Sequence, residues 1–239
     1  MLVTTNAIVL SKLKYKDNDL IVTCYTQELG VVGFLLKGVL KSKKSSNKAA
    51  YFQLLSQLQL IINYNSNRSL QLVKESKPIN VYSSLHTNIL KSSIVMFLAE
   101  VMYSSLREEE QNETLYRYLE AALLWLDEQP DFSNFHLLFL LNLTKYLGFY
   151  PDTSSIDFPY FNLVDGMFDL KEYGKHSVSG ESLRLLKELL GMSFDDLSSV
   201  KINGKHRQSF LNMLLQYYEL HLESFRKPKS LEILNQVFS

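Results

Sequence analysis

The sequence predicts an α+β protein in which a small five-stranded barrel precedes an all-α domain. Apolar residues recur with period 2 up to about residue 78, and with a helical period beyond it. The pair Lys77-Pro78 marks the change, because proline disfavours helix before it and tolerates a helix that starts just after it. With 239 residues the chain is long enough for two modest domains, which we place at 1–78 and 79–239.

Five runs before residue 78 have the character of strands. Residues 57–62 and 69–73 alternate polar and apolar side chains, as half-buried antiparallel strands do. Residues 7–13, 19–26 and 31–37 are rich in β-branched and aromatic side chains, and turn-forming residues separate them. An OB-type barrel accommodates five such strands. An SH3-like barrel has a similar strand count, and the pattern alone does not separate the two.

The second domain is expected to be helical around an irregular insert at about 150–178. Helices are predicted over residues 81–106, 112–127, 132–147, from 179 or 182 to 190, and 203–225. Asn112 is the expected N-cap of the second helix, and Gly148 with Pro151 gives the third a stop signal. The insert contains two prolines and the turn pair Asp165-Gly166, and it has no regular period.

Motifs for nucleotide or nucleophile chemistry are missing from the sequence. Gly174-Lys175 and Gly204-Lys205 are each followed by histidine and lack the earlier glycine that a phosphate-binding loop needs. The five histidines form no pair at i, i+4 spacing, and the single cysteine, Cys24, lies in a predicted strand. We therefore expect no enzyme activity, no catalytic residue, no metal and no cofactor.

The cysteine count and the N-terminal residues indicate a cytoplasmic protein. One cysteine cannot form an internal disulfide framework and fits a reducing compartment. Residues 1–14 have neither the basic-then-apolar order nor the cleavage site of a signal peptide. The most apolar stretch, residues 135–143, is too short for a membrane span, which takes about 20 apolar residues.

The overall net charge of zero hides an asymmetry between the two parts of the chain. Residues 1–80 hold 11 lysines and arginines against 4 acidic residues, a net charge of +7, whereas the remainder carries −7. The segment KGVLKSKKSSNK, residues 37–48, has five lysines and no acid. Lysines bind a phosphate backbone as point charges, and serine and asparagine add hydrogen-bond donors. This segment is expected to bind nucleic acid; otherwise it is a solvated loop.

Further candidate nucleic-acid residues lie on the predicted strands. Lys12, Lys14 and Lys16 alternate with apolar or aromatic residues, so they would share one strand face. Aromatic rings at Tyr15, Phe34 and Tyr51 could stack on bases, although most aromatic residues of a small barrel fill its core. The predicted DNA-binding residues are Lys12, Lys14, Lys37, Lys41, Lys43, Lys44, Lys48, Tyr15 and Phe34.

Short motifs along nearly the whole chain resemble the RecO family of bacterial DNA repair proteins. In the N-terminal third they are NAIVL (6–10), YKDNDLIV (15–22), TQELG (26–30) and LKGV (36–39) before the basic loop. Downstream they are FLAE (97–100), LGFYP (147–151), and YYELHL (217–222) followed by KSL (229–231). Each motif is weak alone, and the resemblance comes from their order and spacing together.

The resemblance implies an OB-fold domain on a helical domain, with binding of single- and double-stranded DNA. It also implies strand annealing, and action with RecR in loading recombinase onto gaps coated by single-stranded-DNA-binding protein, at the nucleoid and without nucleotide consumption. Many family members carry four zinc-binding cysteines after the L-G-x-x-P segment, but residues 150–177 contain none. We therefore predict no zinc, and expect this segment to be held by packing of Phe158, Tyr160, Phe161 and Phe168.

The resemblance further implies that the helical domain serves protein partners. Family members dock the acidic, aromatic-ended tail of single-stranded-DNA-binding protein there, which calls for an apolar pocket ringed by cations. The cations available for such a pocket are Lys201, Lys205, Arg207, Arg226 and Lys227. A second hypothesis stays open, a non-enzymatic scaffold whose barrel binds an acidic protein partner instead of DNA.

Overall fold

The structure, a computed structural model, describes residues 1–41, 49–106 and 111–238. They divide into two compact units, Met1–Asp127 and Glu128–Ser239. The strands are β1 (Leu2–Tyr15), β2 (Asp19–Thr26), β3 (Gly30–Leu36), β4 (Gln57–Asn63), β5 (Gln71–Pro78), β6 (Tyr160–Asn162), β7 (Met167–Asp169) and β8 (Ser177–Val178). The α-helices are α1 (Ile89–Ser105), α2 (Glu113–Glu128), α3 (Phe135–Leu147), α4 (Gly180–Leu189), α5 (Gly204–His221) and α6 (Leu231–Val237).

The first five strands close into a barrel in the order β1-β2-β3-β5-β4. All neighbours are antiparallel except β3 and β5, which pair in parallel over a short stretch. Alternate residues point inward, as Leu58, Leu60 and Ile62 of β4 do, and these side chains are fully buried. The predicted five-stranded barrel followed by helices is confirmed.

The position of Phe34 contradicts its predicted role in stacking on a base. Its side chain is 0% exposed and packs in the barrel core with Val22, Cys24 and Leu36. A ring without an exposed face cannot stack on a base, so the predicted contact between Phe34 and DNA is wrong. The residue is a core residue of the barrel.

Helix α1 begins at Ile89 rather than at the predicted residue 81. Asn88 caps it, because the Asn88 Oδ1 accepts hydrogen bonds from the amides of Leu90 and Lys91. The residues before the cap are held by α2, where the Asp127 carboxylate accepts the amides of Ser83, Ser84 and Leu85 at 2.7–2.8 Å. Their amides thus bind a side chain distant in sequence instead of forming a helical turn.

The start of α2 and the end of α3 follow the predicted signals. The Asn112 Oδ1 accepts the amide of Leu115 at 2.9 Å, which confirms Asn112 as an N-cap. Gly148 ends α3 with φ +84°, a left-handed conformation that favours glycine.

The second unit contains two features that the sequence analysis did not predict. The region read as an irregular insert includes a three-stranded sheet in the order β7-β6-β8, and α6 follows α5. The strands have two or three residues each, too few to show a period. Of the four aromatic residues expected to hold this segment, Phe161 and Phe168 are buried, with ring centroids 5.0 Å apart.

Candidate nucleic-acid interface and partner pocket

The end of β1 extends along β2 as a two-faced ribbon. Lys12 pairs with Val22 and Lys14 with Leu20, so both lysines lie on the face of β2 that lines the barrel core. Both lysine side chains are nevertheless exposed. The intervening Leu13 and Tyr15 pair with Ile21 and Asp19, and therefore lie on the opposite face. The structure thus brings Lys12 and Lys14 together, as predicted, but separates them from the Tyr15 ring.

The third lysine of this segment, Lys16, lies in the turn beyond the ribbon. Its φ of +52° takes it out of the strand, so it does not share the face of Lys12 and Lys14. The Lys16 Nζ instead lies 5.3 Å from the centroid of the Tyr15 ring, a cation–π distance. Tyr15 is 39% exposed, which leaves ring surface available to a ligand.

The turn after β3 is tied to the turn between β1 and β2. The Gly38 amide donates to Asp19 Oδ1 at 2.7 Å, and the Leu40 amide donates to the Asn18 carbonyl at 3.0 Å. Gly38 has φ +64°, a conformation that favours glycine. These two bonds place exposed Lys37 and Lys41 beside the β1–β2 turn.

The described part of the predicted interface is therefore one cationic end of the barrel. It combines four exposed lysines, Lys12, Lys14, Lys37 and Lys41. Tyr51, a further stacking candidate, is 40% exposed. Three predicted residues, Lys43, Lys44 and Lys48, lie outside the described residues. A cluster of lysines around a polar turn suits the phosphate backbone of a nucleic acid and carries no base preference.

An aliphatic row on the outer barrel surface was missed by the sequence analysis. Leu13 pairs with Ile21, Ile21 with Leu35 and Leu35 with Leu72, so the four side chains share a face across four strands. Leu13 is 64% exposed and the others are partly exposed. Ile21 and Leu35 lie in runs that are largely apolar on both faces, so the period of these runs does not show which residues point outward.

The second unit contains a cavity of about 280 Å³ at the start of α5. Its lining residues are His136, Gly204, Lys205, Arg207, Gln208, Leu211, Leu234, Asn235 and Phe238. Apolar side chains from α5 and the α6 region meet two cations there, Lys205 and Arg207. The first turn of α5 has no acidic residue, so the helix N-terminus adds to their positive potential.

Of the two buried or partly buried titratable groups beside this cavity, Arg207 is charged near neutral pH and His136 is not. Burial, and then the nearby charge of Arg207, lower the pKa of His136 to about 3, so His136 is neutral near neutral pH. Burial also lowers the pKa of Arg207, yet a guanidinium stays protonated in proteins. The positive charge of the cavity therefore comes from Lys205 and Arg207.

The remaining predicted partner cations are divided between two places. Lys201 lines a neighbouring cleft of about 400 Å³ together with Asn134 and Asn203. Lys227 pairs with Glu219 at 3.0 Å, and the Arg226 Nη1 donates to the carbonyls of Glu223 and Phe225. Neither Arg226 nor Lys227 lines this cavity or this cleft, so of the five predicted cations only Lys205 and Arg207 meet at the cavity.

Among the described residues, groups with the capacity for catalysis or metal binding are dispersed. Cys24 is fully buried in the barrel, and burial raises the pKa of its thiol, which disfavours the reactive thiolate. Over residues 1–41, 49–106 and 111–238, no three His, Cys, Asp or Glu side chains are grouped as metal ligands would be.

Two family models together match most of the chain. One is described as recombination protein O N terminal and matches residues 1–82, and the other, recombination protein O C terminal, matches residues 86–232. The chain belongs to the RecO family of DNA repair proteins. It is 49% identical over 238 residues to the DNA repair protein RecO of Christiangramia forsetii, with 100% of each chain covered. The RecO proteins of Flavobacterium johnsoniae and Bacteroides fragilis are 44% and 36% identical, also with 100% of each chain covered.

Membership of the RecO family bears on the barrel and on the role of the chain. The RecO N-terminal domain is an OB-fold, so the barrel of β1–β5 is of the predicted OB type rather than SH3-like. A role in DNA repair follows from the same membership. In the part of the chain that the structure describes, no helix has the length and apolarity to cross a membrane.

Proposed function

We propose that this RecO-family chain binds single- and double-stranded DNA through the cationic end of its barrel. The observation that carries the proposal is the pair of hydrogen bonds from Gly38 to Asp19 and from Leu40 to Asn18. These bonds join two groups of lysines that are distant in sequence into one surface, and the basic segment 42–48 follows Lys41 in the sequence. Phosphates are the expected ligands, so both DNA forms bind without strong sequence preference.

Within DNA repair, we propose that the chain acts as a recombination mediator. The chain anneals complementary strands and, with RecR, helps load recombinase onto single-stranded gaps coated by single-stranded-DNA-binding protein. It acts on the nucleoid in the cytoplasm. Family membership supports this role, in which no nucleotide is consumed.

We further propose that the cavity at the start of α5 receives the acidic, aromatic-ended tail of single-stranded-DNA-binding protein. The apolar lining from Leu211, Leu234 and Phe238 suits an aromatic side chain, and a volume of about 280 Å³ accommodates one ring. Lys205 and Arg207 lie where the carboxylates of such a tail would need cations.

An alternative function is that of a scaffold whose barrel binds an acidic protein partner. The aliphatic row of Leu13, Ile21, Leu35 and Leu72 favours it, because contiguous exposed apolar side chains are typical of protein interfaces. Such a partner would lie on the face of the barrel opposite to Lys12 and Lys14.

A titration with fluorescent oligonucleotides separates the two functions. Single-stranded and duplex DNA should both bind at about 50 mM salt, with affinity lost steeply by about 200 mM as counterion release requires. Replacing Lys41, Lys43, Lys44 and Lys48 with alanine should weaken binding similarly for unrelated sequences. Absence of DNA binding at about 50 mM salt would overturn the DNA-binding proposal and leave the scaffold.

A further inference from the structure

Arg207 at the edge of the α5 cavity is held in place by neutral groups. Its Nε donates to the Asn134 Oδ1 at 3.0 Å, and its Nη2 donates to the Ile202 carbonyl at 2.9 Å. The Asn134 side chain is itself fixed, because it is 6% exposed and its Nδ2 donates to the Val200 carbonyl at 2.9 Å. The guanidinium carbon also lies 5.9 Å from the centroid of the Phe238 ring.

The absence of a carboxylate sets Arg207 apart from Arg117 and Arg184. Arg184 contacts Glu181 and Glu188, and Arg117 contacts Glu113, all within 2.6 Å. No carboxylate among the described residues forms an ion pair with Arg207. A partly buried guanidinium without a counter-ion is unfavourable, since burial removes hydration that no ion pair replaces. A charge that the described residues leave uncompensated indicates a site at which an anionic ligand would bind.

The remaining donors of Arg207 can serve such a ligand. A guanidinium carries five N–H groups, and contacts with Asn134 and Ile202 occupy one on Nε and one on Nη2. The two Nη1 hydrogens and the second Nη2 hydrogen make no hydrogen bond to the described residues. Those groups form the geometry that binds a carboxylate through two parallel hydrogen bonds.

We propose that Asn134 is a positioning residue whose neutral amide orients Arg207 while leaving its charge available to the carboxylate of a ligand whose apolar group enters the adjacent cavity. The inference rests on the proposed docking of an acidic, aromatic-ended peptide and adds how the site keeps its charge. A carboxylate at position 134 would hold Arg207 equally well and would neutralise it. The neutral amide of Asn134 therefore affects ligand binding by preserving the charge of Arg207, in addition to any effect on packing.

The test compares two fluorescent peptides, Asp-Asp-Asp-Ala-Phe with a free C-terminal carboxylate and the same peptide with a C-terminal amide. Wild-type protein should prefer the free carboxylate by about tenfold, the ratio that corresponds to one charge-assisted bond. N134D should lose this preference, because the carboxylate that it introduces competes for the guanidinium. N134A should bind both peptides more weakly and keep a reduced preference, since it frees Arg207 without neutralising it. N212D, which adds the same charge at an exposed position of α5, should match wild type.

The outcomes separate the two proposals. A wild-type protein that binds neither peptide would overturn the docking proposal and the inference with it. If wild type binds the peptides and N134D keeps the same preference for the free carboxylate, the positioning role of Asn134 is overturned and the docking proposal stands. Circular dichroism and the melting temperature establish whether N134D folds. If it does not, N134A decides, and a carboxylate preference equal to that of wild type would contradict the positioning role.

Discussion

The amide of Gly38 donates a hydrogen bond of 2.7 Å to the carboxylate of Asp19, and this bond joins two separate basic segments of the barrel. Asp19 begins β2 and Gly38 follows β3, so the contact places an acidic side chain inside a cationic surface. A negative charge weakens the attraction of such a surface for DNA. Its position is explained if Asp19 serves to hold the turn that presents Lys37 and Lys41.

The effect of Asp19→Ala on DNA affinity shows whether Asp19 acts mainly as a negative charge or mainly as the side chain that holds the turn. If Asp19 matters only as a charge, its removal should strengthen DNA binding. Our account predicts a net loss of about 3- to 10-fold, because the lost hydrogen bond to a charged group, about 1.5–3 kcal/mol, outweighs the removed repulsion between Asp19 and DNA. Asp17→Ala removes the same charge from an exposed position in the same turn and should leave affinity unchanged or higher. Fluorescence anisotropy with a single-stranded oligonucleotide measures both variants.

Removal of the Tyr15 ring should affect DNA binding, whereas removal of the Phe34 ring should affect stability. Tyr15→Ala should weaken single-strand binding by about 1–3 kcal/mol per stacked base, with little change in stability. Phe34→Ala should instead lower the free energy of unfolding by about 3–5 kcal/mol, because it empties the barrel core. Tyr103→Ala, which removes an exposed ring on α1, is the control. Equal single-strand affinities for Tyr15→Ala and wild type would exclude stacking on Tyr15.

His136 should make the stability of the second unit depend on pH. The pKa of His136 is lowered to about 3 in the folded protein, so the unfolded chain binds the proton more readily below about pH 6.5. Stability is therefore complete above about pH 6.5 and falls toward pH 3, by at most about 1.4 kcal/mol per pH unit from this group. Urea unfolding of His136→Leu between pH 7 and pH 4 should show a shallower fall in the free energy of unfolding than wild type does. Parallel pH profiles for wild type and His136→Leu would contradict the assignment.

Zinc should be absent from the purified protein. The only cysteine is buried in the barrel, and the small sheet is held by aromatic packing of Phe161 against Phe168 and Tyr217. Atomic absorption on protein prepared without chelators should therefore find zinc far below one ion per chain. One zinc per chain would show that ligands of another kind had been overlooked.

The sequence was sufficient to predict the barrel and the helices, because both depend on local periodicity and on local caps. The Asn112 cap and the Gly148 stop were predictable for that reason. Phe34 was not, since residues 31–36 are almost entirely apolar and their pattern does not show which face is buried. The start of α1 depends on Asp127, which is about forty residues away and binds the segment that would otherwise have extended the helix.

The candidate sites, too, were only partly predictable from local sequence. The lysines were visible as a local excess of charge, but their grouping depends on the contact between Asp19 and Gly38, which only the folded chain shows. Five cations were predicted for the partner pocket; Lys205 and Arg207 line the cavity, whereas Lys201 lines the neighbouring cleft. The role of Asn134 was invisible, because it lies 73 positions from Arg207 and no local pattern relates them.

The salt dependence of DNA binding by a triple variant tests the central claim most directly. Lys14, Lys37 and Lys41 are replaced with alanine, and the control replaces exposed Lys171, Lys175 and Lys229 of the second unit. Each phosphate contact contributes about −0.7 to the slope of log Kobs against log[salt] for a single strand. The account predicts weaker binding and a slope shallower by about 2 for the barrel variant, and wild-type values for the control. A barrel variant with the affinity and slope of wild type would contradict the assignment of this surface to DNA.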